Sequence, residues 1–154
     1  MKLNYIVIPI VTLAVALLGS YITSNGMSWY ETLTLPKIAP PGSLIGIVWT
    51  VIFILSTASA LILYNSQNHN NLFWWIIGIF ILNAVLNVLW SGLFFGLGQI
   101  FASIVEMIVL EISVVALIIL IWPLSRISSV LLMPYAFWVA FATYLASQIW
   151  SLNK

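Results

Sequence analysis

The sequence predicts an all-α integral membrane protein: a single bundle of five transmembrane helices, one domain over residues 1–154. Three observations predict it. Charged residues make up 5% of the chain and apolar residues 64%, against roughly 25% and 45–50% in soluble domains, so there is too little charge to coat a water-facing surface. Five apolar stretches are each long enough to cross ~30 Å of hydrocarbon at about 1.5 Å per residue. None of them alternates apolar with polar residues, as the ~10-residue strands of an outer-membrane barrel would.

The spans are expected at 5–24, 44–64, 72–95, 98–121 and 128–150. The first follows Lys2 and reaches spanning length without a clear small-x-small cleavage site behind it, so it reads as a span and not as a signal peptide. A long first loop over 25–42 carries Gly26, Pro36, Pro40, Pro41 and Gly42. The polar run NSQNHNN at 65–71 separates the second and third spans, and Gly96 to Gly98 allows a tight turn before the fourth. Pro123 and Arg126 interrupt the last connection. Orientation is undetermined by charge: Lys2 and Arg126 fall on one side, Lys37 and Lys154 on the other. No internal duplication is visible, and an odd number of spans disfavours the inverted-repeat plan of many transporters.

Composition also excludes chemistry. With no Cys, no Asp and a single His in a connection, thiol nucleophiles, Ser-His-Asp triads and zinc sites are out of reach, and no metal site is expected. A net charge of +1 rules out a basic nucleic-acid binder. There is no phosphate-binding glycine loop. Any haem in the bundle would lack a His or Cys axial ligand and would be held by its face and edges.

Polar groups inside spans are costly and therefore informative. Glu106 and Glu111 sit in the fourth span about 140° apart around the helix, so they do not form a paired acid/base device. Glu106 reads either as part of a proton or substrate relay or as neutral or hydrogen-bonded between helices, and the absence of a cation in another span favours the second. In the third span Asn83, Asn87, Trp90 and Phe94 form one helical stripe, which reads either as interhelical hydrogen bonding or as a polar handle in an aromatic wall. Trp49 and Phe53, and Tyr135, Trp138, Ala142 and Leu145, repeat the pattern on the second and fifth spans. Of the eight Trp residues, Trp29, Trp122 and Trp150 are expected in the interfacial belt, whereas Trp49, Trp90 and Trp138 lie inside their helices. Gly92 and Gly96 make a GxxxG pair, a candidate dimer seam or an internal tight crossing.

Together these features resemble the TspO/MBR family, the tryptophan-rich sensory proteins of bacteria related to the mitochondrial translocator protein. Trp29-Tyr30, Leu33, Pro36, Pro40-Pro41 and Val48-Trp49 resemble its first-loop signature. The run Leu86-Asn87-Val88-Leu89-Trp90 followed by Leu93-Phe94-Phe95-Gly96 resembles its third-helix motif, and Pro134-Tyr135, Trp138 and Phe141-Ala142 its fifth-helix motif. The resemblance covers essentially the whole chain. It implies a five-helix bundle, often dimeric, in the bacterial plasma membrane, with a pocket beneath the first loop. It further implies protoporphyrin IX or haem-type tetrapyrroles as ligand or substrate, synthetic isoquinoline carboxamide or benzodiazepine ligands, and no required cofactor. By motif position the ligand-binding candidates are Tyr30, Trp49, Phe53, Asn87, Trp90, Phe94, Trp138 and Ala142. Trp49 and Trp138 are candidate catalytic residues for light-driven porphyrin breakdown, because an indole against an excited porphyrin could donate an electron or intercept a reactive oxygen product.

Two departures from the family pattern, Ile47 and Gly92 where Pro is common, are expected to relax helix kinks. At the end of the fifth helix Ser147 and Ser151 stand in place of the usual Tyr and Arg, which lowers the expectation of sterol binding. The leading expectation is therefore a porphyrin receptor or scavenger with possible photo-oxidative activity. The alternatives are a transporter of porphyrin or lipid, and a ligand sensor that acts on a partner without chemistry.

Overall fold

The computed structural model describes residues 3–66 and 69–154; Lys2, used above for orientation, and Gln67 and Asn68 of the polar run lie outside the described residues. Among the described residues, five helices are long and apolar enough to span a membrane. They are α1 (Asn4–Tyr30), α2 (Gly42–Ser66), α3 (Asn71–Ser91), α4 (Ile100–Ile121) and α5 (Arg126–Asn153), with a π-helical segment, Gly92–Gly96, continuing α3.

The helix starts follow from local chemistry. Pro41, placed just before α2, offers its carbonyl to the N–H groups of Leu44 (2.9 Å) and Ile45 (3.2 Å), and a proline there loses no helical donor. At α3 the Asn70 side chain accepts from the Phe73 N–H at 2.9 Å, and at α5 the Ser125 hydroxyl accepts from the Ser128 N–H at 3.3 Å. Both satisfy N–H groups that a helix start leaves orphaned.

Two expectations are corrected here. The first span was expected to end near Ser24, yet α1 continues through Gly26 to Tyr30, and the connection shrinks to residues 31–41. Gly26 does not break the helix because it is the point where α1 touches the π segment: it is buried, and a Cβ there would stand 2.7 Å from the Phe95 carbonyl carbon. Beyond it, Trp29 and Tyr30 pack on Phe94 at ring distances of 5.6 and 6.1 Å, so tertiary contact carries the last turns. The second correction concerns the kink expected to relax at Gly92. The helix remains irregular without proline, because Gly92 to Gly96 forms a widened turn in which the Leu97 N–H reaches the Gly92 carbonyl at 2.9 Å. The chain then reverses through Gly98, whose φ of +63° suits only glycine without strain.

The core is a column of three apolar clusters. At the α2–α3 connection end, Leu63, Phe73, Ile76, Leu117, Ile121 and Leu132 are sealed together. In the middle are Ile52, Leu86, Leu110, Val114, Tyr135 and Val139, and at the first-loop end Phe94, Ile100, Met107, Leu145, Ala146 and Ile149. Hydroxyls tie the helices where they cross: Ser59 donates to the Ser128 carbonyl (2.7 Å) and Ser129 to the Ile118 carbonyl (2.7 Å). In lipid these bonds add to close packing, since tails are as apolar as the helices. α4 packs against α3 and α5 and stays behind them. α1 is attached chiefly along α2, α3 and the π segment, and its most apolar 18-residue window buries nothing.

Candidate functional site

Because α1 is held at its C-terminal half but loosely along its length, a cavity of about 720 Å³ remains between α1, α2, α3 and α5. That is within the ~300–1,000 Å³ of small-molecule sites. On α1 its wall is Ala16, Gly19, Ser20 and Thr23, which recur at i, i+3, i+4 and i+7 and so share one helix face. On α2 the wall begins with Gly42 and Gly46, beside which a Cβ would meet nothing within 4 Å, and continues with Trp49 and Phe53. Small residues on two adjacent helices leave the space; aromatic residues on the others give it flat walls.

All eight positions singled out from the motifs, Tyr30, Trp49, Phe53, Asn87, Trp90, Phe94, Trp138 and Ala142, line this one cavity. Trp49 and Trp90 face each other across α2 and α3 with ring centres 5.9 Å apart and planes inclined by 30°. Trp90 continues onto Phe94 in a stacked pair at 5.9 Å, and Trp49 onto Phe53 at 5.8 Å. Trp138, backed by Phe141 at 5.5 Å, forms the α5 wall. Offset aromatic contacts are worth about 0.5–1.5 kcal/mol each beyond area burial, so a flat aromatic guest would find several such faces at once.

The polar lining is sparse and directed. The Asn87 amide nitrogen donates to the Tyr135 hydroxyl (3.0 Å), which donates in turn to the Asn83 side-chain carbonyl (3.1 Å); the Asn83 amide donates to the Ser113 hydroxyl (2.8 Å) on α4. This buried chain locks Asn87 at the cavity wall. Asn83 itself belongs wholly to the helix junction, so the two readings of the asparagine stripe divide between its two members. By contrast the indole N–H groups of Trp90 and Trp138 are enclosed and have no acceptor. An unpaired buried donor costs about 1–3 kcal/mol.

The connection at residues 31–41 begins at the cavity, which Glu31 lines. The Asn153 side chain, at the last turn of α5, accepts from the Thr34 N–H at 2.9 Å and donates to the Thr34 carbonyl at 2.9 Å, pinning the connection as a neighbouring strand would. Leu33 and Ala39 anchor the same segment on the apolar cluster around Phe94 and Ile149.

Other expected positions fall elsewhere. Glu106 is only 6% exposed, yet neither carboxyl oxygen has a hydrogen-bond partner, so the expected interhelical hydrogen bond is not formed. It faces the packed side of α4, which contributes nothing to the cavity. Trp122 and Trp150 lie exposed at helix ends beneath the Arg126 and Lys154 cations, as interfacial residues do. Trp29, at the end of α1, is half-buried: its indole covers Gly98, where a Cβ would lie 3.1 Å away, and meets Phe94 edge-on. His69 stacks on Phe73 at 4.4 Å at the far end of the bundle, out of reach of the cavity. At the GxxxG pair a Cβ on Gly92 would meet nothing, and one on Gly96 would meet Ile22 of the same chain at 3.5 Å. The tight crossing inside the bundle belongs instead to Gly26. The sequence reading missed the small-residue face of α1 and Glu31 in the wall, and Tyr135 behind the wall as the support of Asn87. Ala16, Gly19, Ser20 and Thr23 share one face by their spacing, but nothing in an apolar span marks that face as the inward one.

The model of the TspO/MBR family matches residues 6–151. The chain is 33% identical over 153 residues to the tryptophan-rich protein TspO of Bacillus cereus, covering 99% of each chain. It is 37% identical over 143 residues to the protein of the same name in Chlorobaculum tepidum, covering 92% of this chain and 90% of that one. It is 27% identical over 134 residues to the human translocator protein, covering 86% of this chain and 79% of that one.

Proposed function

The chain belongs to the TspO/MBR family, and from the cavity it encloses we propose that this multi-pass membrane protein is a receptor or scavenger for porphyrins, taking protoporphyrin IX or a haem-type tetrapyrrole between α1, α2, α3 and α5. The observation that carries the reading is the inclined Trp49–Trp90 pair opening onto the same cavity as Trp138. Three indoles from three helices meet around one space, where outward-facing interfacial tryptophans would be dispersed. No His or Cys lines the cavity, so the macrocycle would be held by stacking on its aromatic walls and by contacts at its edges. The membrane we assign is a bacterial plasma membrane. Titrating protoporphyrin IX into the purified protein should quench tryptophan emission saturably, and Trp90→Ala should weaken that binding by about tenfold through loss of two stacked faces. Emission that stays unquenched would refute the reading.

Isoquinoline carboxamide and benzodiazepine ligands would share the cavity through the α5 wall. Ala142→Thr adds bulk to that wall beside Trp138 and Phe141. Overpacking costs about 1–3 kcal/mol, so drug affinity should fall by about tenfold in a binding assay, and competition with porphyrin should persist. Unchanged affinity would place the drug elsewhere.

The protein is further proposed to pair through Gly92. Since the position is open within one chain, Gly92→Leu should leave the melting temperature of the protomer in place while shifting a detergent-solubilised dimer to monomer. A dimer that persists would move the seam off this face.

A further inference from the structure

The cavity wall holds one charged side chain among the described residues that line it, and that charge is negative. Glu31 follows Tyr30 at the C-terminal cap of α1, is exposed, and lines the cavity where the connection at residues 31–41 begins. The C-terminal end of α1, whose helix dipole carries partial negative charge, lies at the same place. None of the described cations lines the wall. Lys37 belongs to that connection without lining the cavity, Lys154 is drawn over the Trp150 ring at 4.9 Å, and Arg126 lies by Trp122 at the opposite end. A ligand carboxylate carried inside would thus lose its hydration, gain no counter-charge and meet a like charge at the mouth.

We infer that Glu31 is a specificity-determining residue that makes the cavity select flat aromatic ligands by charge, favouring neutral ones and disfavouring those whose carboxylates must pass or rest at its mouth. The inference rests on the tetrapyrrole-binding reading above and adds a substrate class to it: tetrapyrroles whose acidic side chains are masked, as esters or amides, or kept outside in water.

The test compares protoporphyrin IX, which carries two carboxylates, with its dimethyl ester, which has the same macrocycle and none. Both are titrated by tryptophan quenching into the intact wild-type protein and into Glu31→Gln. The exposed Glu31 side chain leaves the fold independent of the change, which an unaltered melting temperature verifies. Wild type is expected to bind the ester about fivefold more tightly than the acid. Glu31→Gln should tighten binding of the acid by about threefold to tenfold and alter that of the ester by less than about twofold, the scale expected of one like-charge contact near a protein surface. Raising salt from 50 to 500 mM should shrink the wild-type gap, because screening shortens the reach of the carboxylate. The ratio of the two ligands within each variant cancels their different partition into detergent. Equal shifts of acid and ester in Glu31→Gln, or no shift of the acid, overturns the charge selection and leaves tetrapyrrole binding standing. Failure of both compounds to quench the wild-type protein overturns tetrapyrrole binding itself, and the selection with it.

Discussion

Gly26→Ala is expected to destabilise the protein by about 3 kcal/mol or more, at the upper end for a single added methyl group. The new Cβ would sit against the Phe95 carbonyl oxygen, 2.7 Å from its carbon and 2.8 Å from the Phe95 Cβ. Two of these atoms are backbone, fixed within the π segment, and cannot swing aside as a side-chain tip can. The strain is therefore relieved only by moving α1 away from Gly92–Gly96. That movement would uncover Phe94 and Phe95 from Trp29 and Tyr30, whose rings now meet them at 5.6 to 6.1 Å. It would also widen the cavity on its α1 side. A thermal melt in detergent should show a large fall in midpoint, and porphyrin affinity should drop with it. Gly92→Ala is the matched control, since a Cβ there meets nothing and alanine is the better helix former; its midpoint should hold or rise. A Gly26→Ala protein that melts like wild type would mean that α1 does not dock at this crossing.

Gly26 also illustrates what sequence conveys in a membrane bundle. The number of spans was legible because hydrocarbon demands long apolar runs whatever their packing, and Pro41, Asn70, Ser125 and Gly98 mark ends through local chemistry alone. The face each helix turns inward was much less legible. Helices that are apolar all round show little contrast between lipid side and core side, so the cavity face of α1, made of Ala16, Gly19, Ser20 and Thr23, looks like any other part of an apolar span. A glycine beside an asparagine suggests the end of a helix, and only the opposing Phe95 backbone explains why it lies within one. The spaced pair Gly92 and Gly96 drew attention by its pattern, whereas the close contact was made by a glycine with no partner in sequence. The aromatic wall was readable because it resides in compact motifs: Trp49, Asn87, Trp90, Trp138 and Ala142 were all named from spacing and resemblance. Tyr135 fell in the same motif, but its service to Asn87 depends on a hydrogen bond between α3 and α5 that no single-helix pattern contains.

Light separates binding from chemistry in the same cavity. Under illumination in air, the wild-type protein loaded with protoporphyrin IX is proposed to convert it to a defined product, and Trp49→Phe/Trp138→Phe is expected to slow that conversion by about tenfold or more, ~1.4 kcal/mol or more in barrier. Phenylalanine retains a flat face at each position, so the neighbours of Trp49, Trp90 at 5.9 Å and Phe53 at 5.8 Å, keep an aromatic partner, as does Phe141 beside Trp138. Porphyrin affinity should then change by no more than a few-fold. What phenylalanine lacks is the electron-rich indole, which can give an electron to the excited macrocycle or take up an activated oxygen species before it escapes. Rate and affinity are thereby uncoupled: a fall in product with binding retained assigns chemistry to Trp49 and Trp138, in the sense that losing them costs the reaction and not the complex. Equal product at an equal rate in the double variant would leave the cavity a receptor, with the bleaching due to the bound porphyrin and dissolved oxygen alone. The single variant Trp90→Ala has the opposite signature. It removes the ring contacts to both Trp49 and Phe94, so its loss should appear in affinity, while each complex that does form should still react at the wild-type rate.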